Sequence, residues 1–117
     1  MGAIEELRSH GWLKDGSLCG ANLRNVDLTG ANLQDAILTQ ANLEDAKLWH
    51  VDLQNAHLWT ASLEGASMVK ANLHKAQPMA SNLVRASLRS ANLERAQLNE
   101  ATLQETFMKE AKLQGAD

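Results

Sequence analysis

Ala21-Asn22-Leu23-Arg24-Asn25 is a five-residue phrase that returns without a gap to the end of the chain. With leucine as the centre, the phrases are centred at 18, 23, 28 and every fifth residue to 113, and only Met68, Pro78 and Met108 replace the leucine. Two residues before each centre stands alanine, except at Gly16, Val26, Val51, Ser81 and Thr106. The other three places are mostly polar. A self-similarity of this kind is read before any local propensity.

The period excludes straight secondary structure. On an α-helix each residue turns about 100°, so leucines five apart would spiral around the surface without forming a stripe. On a straight strand the side chains alternate with period two, so an odd step sends successive leucines to opposite faces. A chain that bends by about a quarter circle in each phrase points every alanine–leucine pair at one axis. Four phrases then close a square coil, and the phrases from 18 to 113 make about five coils. At roughly 4.8 Å per coil the stack is about 24 Å tall. Leucines fill its axis, and alanines are small because little room remains beside each leucine in a close-packed interior. The hand of the coil does not follow from this geometry.

The phrases Ala31-Asn32-Leu33, Ala41-Asn42-Leu43, Ala71-Asn72-Leu73 and Ala91-Asn92-Leu93 make the chain resemble the pentapeptide-repeat proteins, whose pattern is A-(D/N)-L-x-x. The resemblance covers residues 16–117. It implies an all-β fold, a right-handed quadrilateral parallel β-helix, in a family common in bacteria and especially cyanobacteria. Most members of that family have no assigned activity.

Residues 1–15 lie outside the register and form a separate N-terminal cap segment ahead of the β-helix of 16–117. Ala3, Ile4 and Leu7 fall on one side of a helix, Glu5, Glu6 and Arg8 on the other, and Gly11 ends it. Solenoid ends expose core and unpaired edges and need covering, so residues 2–13 are expected to cap the first coil. At the other end Gly115-Ala116-Asp117 begins another phrase. The last coil is therefore expected to pair with a second copy, as a homodimer with Phe107, Met108 and Leu113 at the contact, or to continue in a longer chain. The C-terminal helical dimerisation segment of gyrase-binding family members has no counterpart in these residues.

The formal charge is −3, too mild to demand nucleic acid. Residues 1–58 hold eight acidic and four basic residues, and residues 59–117 hold six and seven. There is one cysteine, Cys19, hence no internal disulfide framework, which fits a reducing, cytoplasmic compartment. No apolar run approaches the roughly 20 residues of a membrane span, and the N-terminus lacks a signal-peptide layout.

Asn or Asp precedes the centre at 22, 27, 32, 42, 52, 72, 82 and 92. Stacking twenty apart, these side chains are expected to satisfy turns and to form amide ladders. Pro78 lacks an N–H and resists the middle of a ladder; Gln77-Pro78-Met79 is expected to bulge, with Met79 shifting toward the core. Trp49 and Trp59 follow their centres and should project outward on opposite faces. Ile37, Trp59 and Met79 share a face and form the candidate interaction patch. Glu44, Asp45 and Glu64 form an acidic cluster on a third face.

His10, His50, His57 and His74 are not at metal-ligand spacing. No nucleophile–base–orienter trio can be argued, and no phosphate loop is present. The chain reads as a non-enzyme without cofactor: a structural scaffold or protein-interaction module, with no membrane or direct nucleic-acid partner. The alternative is a DNA mimic that binds DNA gyrase or topoisomerase, by resemblance to the quinolone-resistance branch of the family.

Overall fold

The five-residue period becomes a twenty-residue coil in the computed structural model, which describes residues 2–117. Asn22 bridges Asn42 in parallel, and the column continues through Ser62 and Asn82 to Thr102. Two more columns run Asp27–Lys47–Ser67–Ser87–Phe107 and Asn32–Asp52–Asn72–Asn92–Lys112, and a fourth runs Ile37–His57–Gln77. Each strand is a single bridge residue, and every bridge joins residues twenty apart. The molecule measures 35 × 22 × 22 Å; its two equal short extents fit a square cross-section.

Each bridge uses two backbone bonds. The Leu23 N–H donates to the Asn42 carbonyl at 2.7 Å, and the Asn42 N–H donates back to the Ala21 carbonyl at 2.9 Å. Corners follow a fixed rule as well. The Ala36 N–H donates to the Leu33 carbonyl at 3.0 Å, closing a four-residue turn, and the same bond recurs from phrase to phrase. The third residue of each turn has positive φ, as a type II turn requires. This holds at every corner from Gly20 to Gly115, and at 16 of them the residue is not glycine.

The Asn and Asp side chains that precede the centres hold these corners. All eight accept the backbone N–H two residues on: Asn22 from Arg24 at 3.2 Å, Asn42 from Glu44 at 3.0 Å, Asn92 from Glu94 at 3.0 Å, and likewise Asp27, Asn32, Asp52, Asn72 and Asn82. Turn satisfaction is therefore observed. The expected amide ladder between stacked asparagines is not formed among the described residues, because each side-chain oxygen is turned to its own backbone. Asn55 makes an inter-coil amide link from a different place in the phrase, donating to Asp35 at 3.1 Å.

Leucines and alanines line the axis and are buried from Leu33 to Leu98. Met68 fills a leucine place without exposure. Pro78 is buried at its centre too, and the expected bulge is absent. Its carbonyl accepts the Ser81 N–H at 3.1 Å in the ordinary corner bond, and Met79 stays half-buried outside the axis. At Pro78 one ladder bond is missing. The Gln97 N–H donates to the Ala76 carbonyl at 3.0 Å, but the Gln97 carbonyl receives no backbone N–H where Pro78 has none to give.

The helix α1 spans Ala3–Ser9. Ile4 and Leu7 pack partly buried against the core, and Arg8 donates to the Asn32 side-chain oxygen at 2.9 Å. Beyond α1, Leu13 is buried with the axial leucines. Its carbonyl takes the Ile37 N–H at 2.7 Å, a place that the register assigns to Gly16. Leu18, the first centre in the repeat, is half-buried.

Candidate interaction surfaces

Trp59 leaves the axis immediately after Leu58 and is 46 % exposed. Its indole is nonetheless fixed. The ring lies parallel to His57, with centroids 5.9 Å apart and planes 7° apart, and Nε1 donates to the Gln77 amide oxygen at 3.0 Å. Ile37, His57 and Gln77 form the bridge column of this face, so Trp59 stands beside the column that begins with Ile37. Ile37 and Met79 are both half-buried. The structure thus brings the three predicted patch residues onto one face and adds His57 and Gln77, which hold the indole.

Trp49 repeats the hydrogen bond, without the stacked ring, half a coil away. It is 50 % exposed, and its Nε1 donates to the Ser67 hydroxyl. In both cases the acceptor lies eighteen residues further on, one coil along and across the centre. That spacing is visible in the sequence once the coil length is known.

The acidic cluster is paired with its neighbours. Arg24 lies 3.4 Å from Glu44 and 3.6 Å from Asp45, and Arg85 pairs with Glu64. Ser62 donates to Glu44 at 3.0 Å and Asn82 to Glu64 at 3.1 Å. The partners lie 18–21 residues from the carboxylates, again one coil away. The sequence reading missed both arginines because it weighed the acidic residues without their stacked neighbours.

Asp35 is held below the usual carboxylate range, first by the Asn55 amide and next by Lys14, whose Nζ lies 3.2 Å away. Asp27 and Asp15 are lowered in the same direction by the Thr29 and Ser17 groups that cap their turns. Among the described residues no group of three or more His, Cys, Asp and Glu side chains could hold a metal ion. No helix among the described residues is long and apolar enough to cross a membrane.

At the C-terminal coil, Leu103 and Leu113 are exposed, Phe107 is 60 % exposed, and Met108 is partly buried against the core. The N–H groups of Leu103, Met108 and Leu113, which elsewhere in the repeat donate to the next coil, have no backbone acceptor here. At the other end a mostly apolar cleft of about 480 Å³ separates α1 from Leu23, Val26 and Leu28.

The family described as pentapeptide repeats matches residues 10–45, 41–77 and 81–117, in eight copies. The chain belongs to the pentapeptide-repeat family. Among solved structures, it is similar to the pentapeptide repeat protein Rfr23 of the cyanobacterium Cyanothece 51142, with 37 % identity and a TM-score of 0.75 over 80 % of this chain and 62 % of that one. A pentapeptide repeat protein of the Arabidopsis thaliana thylakoid lumen is 28 % identical, with a TM-score of 0.69 over 87 % of this chain and 68 % of that one. QnrB1, a plasmid-mediated fluoroquinolone resistance protein, shares the fold at 14 % identity and a TM-score of 0.61, over 81 % of this chain and 58 % of that one. No curated relative matches the chain. This pentapeptide-repeat chain spans 62 % of the length of the Cyanothece protein.

Proposed function

We propose that this pentapeptide-repeat chain is a non-catalytic scaffold whose Trp59 face is a protein-interaction surface. The observation that carries the reading is the fixed, half-exposed indole of Trp59, flanked by Ile37 and Met79 on a face built from a regular backbone stack. A pre-positioned aromatic anchor loses little side-chain entropy on binding. Buried tryptophans at interfaces are commonly worth about 2 kcal/mol or more. A right-handed winding in about five coils, which membership in the family supports, is part of this reading, as is a cytoplasmic location. The thylakoid-lumen relative indicates that the fold also suits another compartment.

The test is partner capture from an extract of the source cells by the wild type, Trp59→Ala and the outward control Gln54→Ala. A partner retained by the control and weakened about 30-fold by Trp59→Ala supports the surface. Equal capture by all three proteins refutes it.

Self-association through residues 98–117 belongs to the same proposal. Exposed Leu103, Phe107 and Leu113 and the unpaired N–H groups of this coil support it. The Leu103 N–H and the Ala101 carbonyl flank Thr102, so a two-fold axis there would let the Leu103 N–H of each copy donate to the Ala101 carbonyl of the other. Additional coils of a longer parent chain would cover the same groups. A wild type that sediments as a monomer at tens of micromolar refutes the dimer; dissociation of a dimer by Leu113→Lys places the contact at Phe107, Met108 and Leu113.

A gyrase-binding DNA mimic has less support. The likeness to QnrB1 is one of fold alone, and the acidic cluster is paired with Arg24 and Arg85. Supercoiling by purified DNA gyrase should be unchanged at micromolar protein.

A further inference from the structure

The two tryptophan faces differ in charge. The face of Trp59, centred on Leu18, Leu38, Leu58, Pro78 and Leu98, has Glu100 and Asp117 as its charged residues, both at the far end. The opposite face, centred on Leu28, Leu48, Met68, Leu88 and Met108, carries Lys47, Lys70, Arg89 and Lys109 against Asp27 and Glu110. All four cations are exposed. Among the described residues, the ion pairs join Lys14 to Asp35, Arg24 to Glu44 and Asp45, and Arg85 to Glu64, so none engages this face. Asp27 bridges Lys47 one coil away and offsets it. Glu110 accepts from Ser90 at 3.3 Å and lies beside Lys109. Lys70 and Arg89 have no acidic residue in the same or the adjoining column of their own or neighbouring coils until Glu110.

Read along the axis, the outward column after the centres runs Trp49, Val69, Arg89, Lys109, with Lys70 alongside. With coils about 4.8 Å apart, the column is about 14 Å long, apolar in its first half and cationic in its second. Trp49 is pinned by its bond to Ser67, so the apolar end is already ordered. We infer that this face binds an acidic segment of a protein partner, with an apolar residue seated on Trp49 and Val69 and carboxylates on Lys70, Arg89 and Lys109. The chain is then a two-sided adaptor: it takes an uncharged surface on the Trp59 face and an acidic one on the opposite face.

Charge matching selects a polypeptide over nucleic acid. Duplex DNA carries one negative charge per about 1.7 Å of axis, or about eight over this column. The face offers three free cations there, and Asp27 and Glu110 repel phosphate at its two ends. A segment with two to four carboxylates, roughly one for each cation, matches it.

The test uses the full chain carrying Trp12→Phe and Trp59→Phe, so that Trp49 alone reports. Its fluorescence is titrated at low salt with a synthetic peptide of leucines followed by glutamates, the same peptide with lysines for glutamates, and a single-stranded oligonucleotide. Saturable binding of the glutamate peptide alone is expected, weakened about tenfold or more by Arg89→Glu with Lys109→Glu and by raised salt. Both charge reversals lie at exposed positions, and unchanged thermal melting verifies the fold. No saturable response, equal binding of the lysine peptide, or affinity indifferent to the charge reversals overturns the inference. Tighter binding of the oligonucleotide overturns it in favour of nucleic acid. None of these readouts depends on the Trp59 surface, so failure here is distinguishable from failure of that proposal.

Discussion

The Leu13 carbonyl accepts the Ile37 N–H at 2.7 Å while the Leu13 side chain is only 1 % exposed. A residue one five-residue step before Leu18 and twenty before Leu33 thus supplies the first rung of one column and closes that end of the axis. Leu13→Ala should cost about 2–5 kcal/mol in urea unfolding, the range for a buried leucine that leaves a cavity. Leu18→Ala, at a half-buried position, should cost distinctly less. Removing residues 1–13 also removes the Arg8–Asn32 bond and should promote association through the first coil. Equal losses for the two alanine variants would show that Leu13 is not the closing residue.

Pro78 breaks one ladder bond without breaking the register. Pro78→Leu restores an N–H opposite the Gln97 carbonyl and the side chain that the repeat prefers. One backbone bond contributes about 0.5–1.5 kcal/mol net, offset in part by the greater freedom of the unfolded chain without proline. A small rise in the urea midpoint at unchanged slope is expected. A fall would mean that the buried pyrrolidine packs better than leucine at this corner.

Positive φ at nonglycine corners stores strain. A left-handed conformation costs an L-residue about 1–2 kcal/mol, and β-branched Thr60 sits there at φ 54°. Thr60→Gly should raise stability by about 0.5–1 kcal/mol, whereas Asn25→Gly should change it little, because asparagine tolerates this region. The converse test separates strain from space. A Cβ at Gly65 would meet the Asp45 carboxylate oxygen at 2.5 Å, whereas one at Gly30 meets nothing within 4 Å. Gly65→Ala should therefore cost more than Gly30→Ala, as read by melting temperature.

Asp35 predicts a pH dependence. Its pKa in the folded chain is lowered from 3.8 by Asn55 and Lys14. A depressed carboxylate pKa adds stability that is present above the unfolded value and is lost as pH falls through the folded one. Asp35→Asn keeps an acceptor for Asn55 but loses the charge. Its melting temperature should lie slightly below the wild type at neutral pH, and the two should converge as pH drops below 3.8. A difference that persists unchanged in acid would assign the effect to packing.

The repeating part of the fold was legible because its cause is local. Five residues per phrase allow neither a helix stripe nor a strand face, so Ala21, Leu23 and their successors must turn inward on a bending chain, and a square coil of twenty residues follows. The outward placement of Trp49 and Trp59 follows from the same register. Their fixing bonds and the pairing of Glu44, Asp45 and Glu64 were missed because the partners Ser67, Gln77, Arg24 and Arg85 lie about one coil away. They could have been sought at spacings of 18–21 residues.

The sequence by itself determined the period, the inward alanines and leucines, and the coil length, since steric alternation and burial act within one phrase. Only the tertiary structure decided that the Leu13 carbonyl takes the Ile37 N–H, that asparagine oxygens turn to their own corners, and that Pro78 stays in register. Each of these outcomes depends on competition between a local contact and atoms brought together by stacking. The Asn22 oxygen can reach the Arg24 N–H or a stacked amide, and Ile37 can take its rung from Gly16 or Leu13. The lower free energy in each pair is set by distances that exist only after the coils have stacked.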